Sequence, residues 1–287
     1  MTHPVPQPSG DTAPLRRTII RADGTRFAVT LHPAAAAGPV VLVVPAMGMP
    51  AGYYGKLATA LADAGWSTAV MEQRGHEETG GRRPGRRHDF GYADLVDDID
   101  AAASLLAADG DGLVLLGHSL GGQVGSAYAA SHPDRLTGLI LVASGSVHWR
   151  LWSPAFLVLS QGFGLLAQAV GHFPGTRLGF AGREARGVMR DWARFARTER
   201  LAFGRPRVDH STALSRLDLP TLAISVEGDT LAPPASVDGL VAMMPSADVT
   251  RIHLDVDGVD HFRWARQPES VLPTITRWLE ARSLRQA

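Results

Sequence analysis

The chain contains no cysteine and only one lysine, Lys56. Without thiols there are no disulfides, no cysteine nucleophile, no iron–sulfur cluster and no cysteine-based zinc site. With one lysine, 28 − 1 = 27 of the basic residues are arginine, and a Schiff-base or P-loop lysine is nearly excluded. Net charge is lacking too: 28 Lys+Arg balance 28 Asp+Glu. A protein that binds nucleic acid through an overall basic field is therefore not expected. No clean apolar run reaches the roughly 20 residues that span a bilayer. The longest, Pro154 to Gly171, is broken by Ser160, Gln161, two glycines and Gln168. Residues 1–14 are polar and rich in proline, with no basic start leading into an apolar run. They read as a disordered tail and not as a signal peptide, and a cytoplasmic protein with no membrane span is expected.

What is present is the composition of a globular domain: 287 residues, 45% hydrophobic and 20% charged. Leu15–Arg21 and Arg26–Leu31 flank Asp23-Gly24, a hairpin signal. Pro39–Val44, Ser67–Glu72, Leu113–Leu116, Leu139–Ala143, Thr221–Val226 and Val249–Val256 read as strands. Between them, Ala51–Ala64, Tyr92–Ala108, Leu120–Ser131, Ala235–Met243 and Pro268–Ser283 have helical spacing. Strand–helix alternation of this kind predicts an α/β fold, a mostly parallel sheet flanked by helices. The rhythm fails between Val147 and Ala213, where only helix-like, aromatic-rich segments occur. The expected organisation is a core of residues 15–146 and 214–287, with residues 147–213 inserted late in the sheet as a helical cap.

Gly117-His118-Ser119-Leu120-Gly121 follows one predicted strand and opens a helix. A G-x-S-x-G turn needs glycines because the serine sits on a sharp, strained bend. A serine nucleophile needs a base, and the base needs an orienting acid. Asp229 follows the strand Thr221–Val226, and His261 follows the last strand. The order Ser119, Asp229, His261 places each at the carboxyl end of a predicted strand, where parallel strands build one crevice. Asp255, Asp257 and Asp260 also lie near His261, but Asp260 is adjacent in an extended loop and points away. His118 reads as a packing residue. The other nine histidines have no H-E-x-x-H or H-x-H spacing, so no metal site is expected. Gly162–Ala167 matches a dinucleotide fingerprint but follows no strand, so no cofactor is expected.

With these motifs the chain resembles the α/β-hydrolase superfamily over roughly residues 15–283. Pro45-Ala46-Met47-Gly48-Met49-Pro50, Tyr53-Tyr54 and Arg74-Gly75 resemble bacterial hydrolases of the serine aminopeptidase and monoglyceride-lipase type. The chain departs from that type in carrying Pro45-Ala46 where His-Gly is common. The resemblance implies an oxyanion hole from the backbone N–H groups of Met47 and Leu120.

The expected function is serine hydrolysis of a carboxylic ester, lactone or related acyl bond in a small, largely apolar substrate. An acyltransferase or cyclase using the same triad is open, as is a non-catalytic ligand-binding protein. Trp152, Phe156 and Trp192 of the insertion are expected to line the substrate pocket. Arg82, Arg83, Arg86 and Arg87 form either a solvated loop or a patch for a carrier-bound acyl substrate. For a peptidase, Glu184 and Glu199 are the candidates to hold a substrate amine.

Overall fold

The computed structural model describes residues 13–180 and 182–283; the expected tail lies outside the described residues except for Ala13 and Pro14. Eight strands form one sheet. They are β1 (Leu15–Ile20), β2 (Arg26–His32), β3 (Val40–Val44), β4 (Thr68–Met71), β5 (Leu113–His118), β6 (Gly138–Val142), β7 (Thr221–Val226) and β8 (Val249–Leu254). Their spatial order is β1-β2-β4-β3-β5-β6-β7-β8. β1 and β2 form the expected hairpin, antiparallel with Leu15 opposite Leu31. Its turn is held by Asp23, whose Oδ1 accepts from the Thr25 N–H at 2.9 Å and the Thr25 hydroxyl at 2.6 Å. β2 also runs antiparallel to β4, and every remaining neighbour pair is parallel.

The central strands β3, β5, β6 and β7 are buried along their whole length, because helices cover both faces of a parallel sheet. Helices α1 (Gly55–Asp63), α2 (Tyr92–Leu106) and α3 (Leu120–Ser131) alternate with strands as expected. The chain between β6 and β7 holds α4 (Pro154–Val170) and α5 (Arg186–Thr198), which pack on each other. It is not strand-free as expected: Phe173–Pro174 pairs with Arg183–Glu184, and Ala202–Phe203 with Val208–Asp209. These two-residue ladders are too short to carry a strand's alternation, so sequence periodicity could not reveal them. Two helices complete the fold, α6 (Pro234–Val241) and α7 (Leu272–Ser283), the latter packed beside α1. Among the described residues no helix is long and apolar enough to cross a membrane.

A buried ionic knot ties the β1–β2 hairpin to α2 and to the loop after β4. Asp98 accepts two hydrogen bonds from Arg21 at 2.8 and 2.9 Å and two from Arg74 at 2.7 and 3.0 Å. Arg21 also donates to Glu77 at 2.6 Å. All four side chains are at most 10% exposed. Removing one partner of such a group leaves charge buried and uncompensated, at a cost of about 3–5 kcal/mol. Asp98→Ala should lower unfolding stability by that amount in urea titration; a change below about 1 kcal/mol would show that the knot does not hold the hairpin.

Candidate active site

The strand β5 delivers Ser119 onto a turn with φ 53° and ψ −116°, a conformation that costs an L-residue roughly 1–3 kcal/mol. The turn persists because its surroundings fix it. A side chain on Gly117 would strike the backbone of Gly122, and one on Gly121 would strike the carbonyls of Val44 and Pro45. The Ser144 hydroxyl, just beyond β6, donates to the Ser119 carbonyl at 2.6 Å.

Around this turn the structure assembles three side chains. His261 Nε2 lies 3.0 Å from Ser119 Oγ. His261 Nδ1 lies 2.8 Å from Asp229 Oδ2 and 3.0 Å from Oδ1. Asp229 is in turn oriented by the backbone N–H groups of Leu231 and Ala232, each donating to Oδ1 at 2.8 Å. Asp229 and His261 are both buried. The other nearby carboxylates do not compete: Asp255 and Asp257 are exposed, and Asp260 Oδ1 accepts from the Phe262 and Arg263 N–H groups.

His118 is fully buried, as its packing role requires. Its Nδ1 pairs with the Tyr54 hydroxyl at 2.8 Å, and that same hydroxyl accepts the Ala46 N–H at 2.9 Å. The loop after β3 is thus fastened to the residue before Ser119. Burial, reinforced by the neighbouring His261, holds the His118 imidazole well below its ordinary pKa, so it stays neutral beside the site. The N–H groups of Met47 and Leu120 donate to no other group among the described residues, and both residues line the cavity at Ser119.

That cavity measures about 80 Å³ and is walled by Val147, Trp152, Phe156, Phe180 and Trp192 from the insertion and by Phe262 from the core. Trp152, Phe156 and Trp192 all line this cavity. Gln123 also reaches it, and its signal was in the sequence: it lies four residues after Ser119, one helical turn on. Phe180 sits in an irregular segment and has no such signal. Glu184 and Glu199 do not line the cavity. Glu184 Oε2 is 3.4 Å from His76 Nε2, and Glu199 Oε2 is 3.1 Å from His148 Nδ1, so Glu184 joins the insertion to the core and Glu199 joins two parts of the insertion. The arginine loop is braced against the insertion: Arg86 donates to the Ala169 carbonyl at 2.9 Å, and Arg183 to that of Pro84 at 2.7 Å.

The arrangement has known counterparts. Residues 39–179 match the family model described as the alpha/beta hydrolase fold. The chain is 26% identical over 247 residues to a monoacylglycerol lipase of Mycolicibacterium smegmatis, covering 80% of this chain and 83% of that one. It is 28% identical over 267 residues to a polyketide synthase of Burkholderia thailandensis, covering 85% of this chain but 12% of that far longer protein. The solved structure of a soluble variant of monoglyceride lipase from Saccharomyces cerevisiae superposes with a TM-score of 0.69 at 17% identity, over 97% of this chain and 98% of that one. The chain is a member of the α/β-hydrolase superfamily and a hydrolase of that type.

The His76–Glu184 pair generates a pH prediction. Burial opposes a charge on His76, but Glu184, helped by Glu77, outweighs it, so the imidazole titrates above its ordinary value. Its stabilising effect is therefore complete below the unfolded value of about 6.5 and is lost as pH rises through the raised value. Proteolysis between residues 172 and 186 should accelerate as pH rises above about 6.5, after correction with an unstructured peptide. Glu184→Gln should remove that dependence; an unchanged profile would show that the pair does not anchor the insertion.

Proposed function

We propose that Ser119, His261 and Asp229 are the nucleophile, base and orienting acid of a serine hydrolase acting on an ester, lactone or related acyl bond. The observation that carries this reading is the unbroken hydrogen-bond chain from Asp229 through His261 to Ser119, 2.8 and then 3.0 Å long, ending in an apolar cavity. Ser119 Oγ attacks the acyl carbon as its proton passes to His261 Nε2. Asp229 holds the imidazole with Nδ1–H toward itself and stabilises the imidazolium. The carbonyl oxygen, now an anion, is received by the N–H groups of Met47 and Leu120, each worth roughly 3–4 kcal/mol. His261 then protonates the leaving group as its bond to carbon breaks. Water, deprotonated by His261, releases the acid from the acyl-enzyme. Residues 147–213 serve as a cap, and its aromatic residues, with the core's Phe262, favour a small, largely apolar acyl group. The monoacylglycerol lipase relative supports an ester substrate.

The same acyl-enzyme could be resolved by an alcohol or amine instead of water, giving transfer or cyclisation. What favours a carrier-delivered acyl group is the match to a polyketide synthase together with the charge of the cap. Residues 147–213 hold ten Arg against four Asp+Glu, 10 − 4 = +6, in a chain that is neutral overall. An acidic carrier would meet complementary charge there.

Ser119→Ala should abolish covalent labelling by a fluorophosphonate and leave the unfolding transition in place; rapid labelling of this variant would sink the assignment. Asp229→Asn should lower kcat on the order of 10⁴-fold by favouring the wrong tautomer. A loss under tenfold would move the acid role elsewhere. Replacing Arg82, Arg83 and Arg87 by Gln should raise KM about tenfold for an acyl thioester on an acidic carrier protein relative to the same acyl group on a neutral thiol. Equal KM changes for the two would make the loop a solvated one.

A further inference from the structure

Helix α4 carries apolar residues on both faces. Its inward face combines Ser160, Gly164 and Ala167, small residues that bring the backbone close to α5, where a side chain on Gly164 would press on Ala193, with Phe163 and Leu166, which pack on the core. Other apolar residues face outward: Val158 is 74% exposed, Leu165 71% and Leu159 49%. Single exposed apolar residues need no explanation, but an adjacent outward pair beside half-buried aromatic rings does. At the start of the helix Val158 and Leu159 form part of the wall of an open trough of about 770 Å³, bounded also by Trp152, Ser153, Ala155 and Phe156. No charged side chain contributes to it.

Two of those residues, Trp152 and Phe156, also wall the cavity at Ser119. Their rings are stacked, 4.6 Å apart and inclined by 12°. One aromatic pair is thus the partition between the inner cavity and the outer trough. The partition is lightly held. The Trp152 indole N–H reaches the Ser146 carbonyl only at 3.3 Å, and Phe156 otherwise meets Trp192 edge-on at 5.8 Å. The inner cavity, at about 80 Å³, falls well short of the 300–1,000 Å³ that hold a drug-sized ligand. An acyl chain bound to Ser119 fills it after a few carbons and then meets this partition.

We infer that the outer trough is a second acyl subsite: a medium- or long-chain acyl group passes between Trp152 and Phe156 and lays its distal methylenes along Val158 and Leu159. The inference rests on Ser119 being the acylated residue. The continuity of the two spaces through a shared wall selects the substrate's own tail as the occupant. The predominantly apolar, uncharged lining selects an unbranched hydrocarbon over a polar or charged chain, because each methylene moved onto apolar surface adds binding free energy and a buried polar group subtracts it.

The test uses the full chain and p-nitrophenyl butanoate and decanoate, both below their aggregation limits, with active sites counted by a fluorophosphonate. In the double variant Val158→Ser, Leu159→Ser the ratio of kcat/KM for decanoate over butanoate should fall about tenfold. A decyl fluorophosphonate ending in a diazirine, once fixed on Ser119, should cross-link on irradiation to residues 155–159. An unchanged ratio, or cross-links confined to Leu231–Ser236 or Phe262, would overturn the subsite. So would a defect seen only on phospholipid vesicles, which would make the trough a lipid-docking face, or one that tracks loss of a dimer in light scattering, which would make it a contact between copies. The underlying reading fails separately: it falls if Ser119→Ala still hydrolyses either ester, whatever the ratio does.

Discussion

The strained turn at Ser119 is the constraint on which the rest of the structure depends. A serine at φ 53° and ψ −116° is held there only if the strand before it and the helix after it cannot relax. β5 supplies the first condition by running between β3 and β6, hydrogen-bonded to both. α3 supplies the second by sitting so close to the end of β3 that Gly121 has no room for a side chain. The same closeness puts the loop after β3, with Ala46 and Met47, beside Ser119. The strain and the approach of this loop therefore have one cause, the near contact of α3 with the end of β3.

His261 and Asp229 reach this point through the opposite half of the sheet. β7 and β8 end side by side, so the loops that follow them converge from one direction. Asp229 enters already oriented by two backbone donors, and His261 is backed by the His118 ring at 5.0 Å and anchored through its carbonyl by the Trp264 indole. His118 itself hangs from Tyr54. The side chains of Asp229, Ser119 and His118 thus converge on one imidazole and leave it little freedom.

The core was legible in the sequence because its rules are short-range. Runs such as Val40–Val44 and Thr221–Val226 are buried on both faces and continuous in apolar residues. The elbow shows itself because glycine is needed at fixed offsets from the serine. Asp229 and His261 could be picked from the chain because each lies just after a strand. The insertion was legible only as an interruption. Its ladders span two residues each, Phe180 reaches the cavity from irregular backbone, and the roles of Glu184 and Glu199 depend on His76 and His148, more than 50 residues away in sequence. The packing of α4 is hidden in the same way: apolar residues occur on both of its faces, Phe163 and Leu166 inward and Val158 and Leu165 outward, so composition alone does not reveal which face is buried.

The distribution of restraints across the insertion follows from these contacts. Its far part is tied to the core by directional bonds: His76 with Glu184, Arg183 with the Pro84 carbonyl, Arg186 with Asp89 at 2.8 Å, and the Tyr92 N–H with Asp191 at 3.1 Å. Its near part, the first turn of α4 at the cavity, is held chiefly by ring contacts and one long hydrogen bond from Trp152. Ring contacts are non-directional, and a sliding aromatic pair gives up far less free energy than a broken buried ion pair. Local opening is cheapest where directional bonds are fewest. The cavity therefore yields at Trp152 and Phe156 before the insertion lifts as a whole.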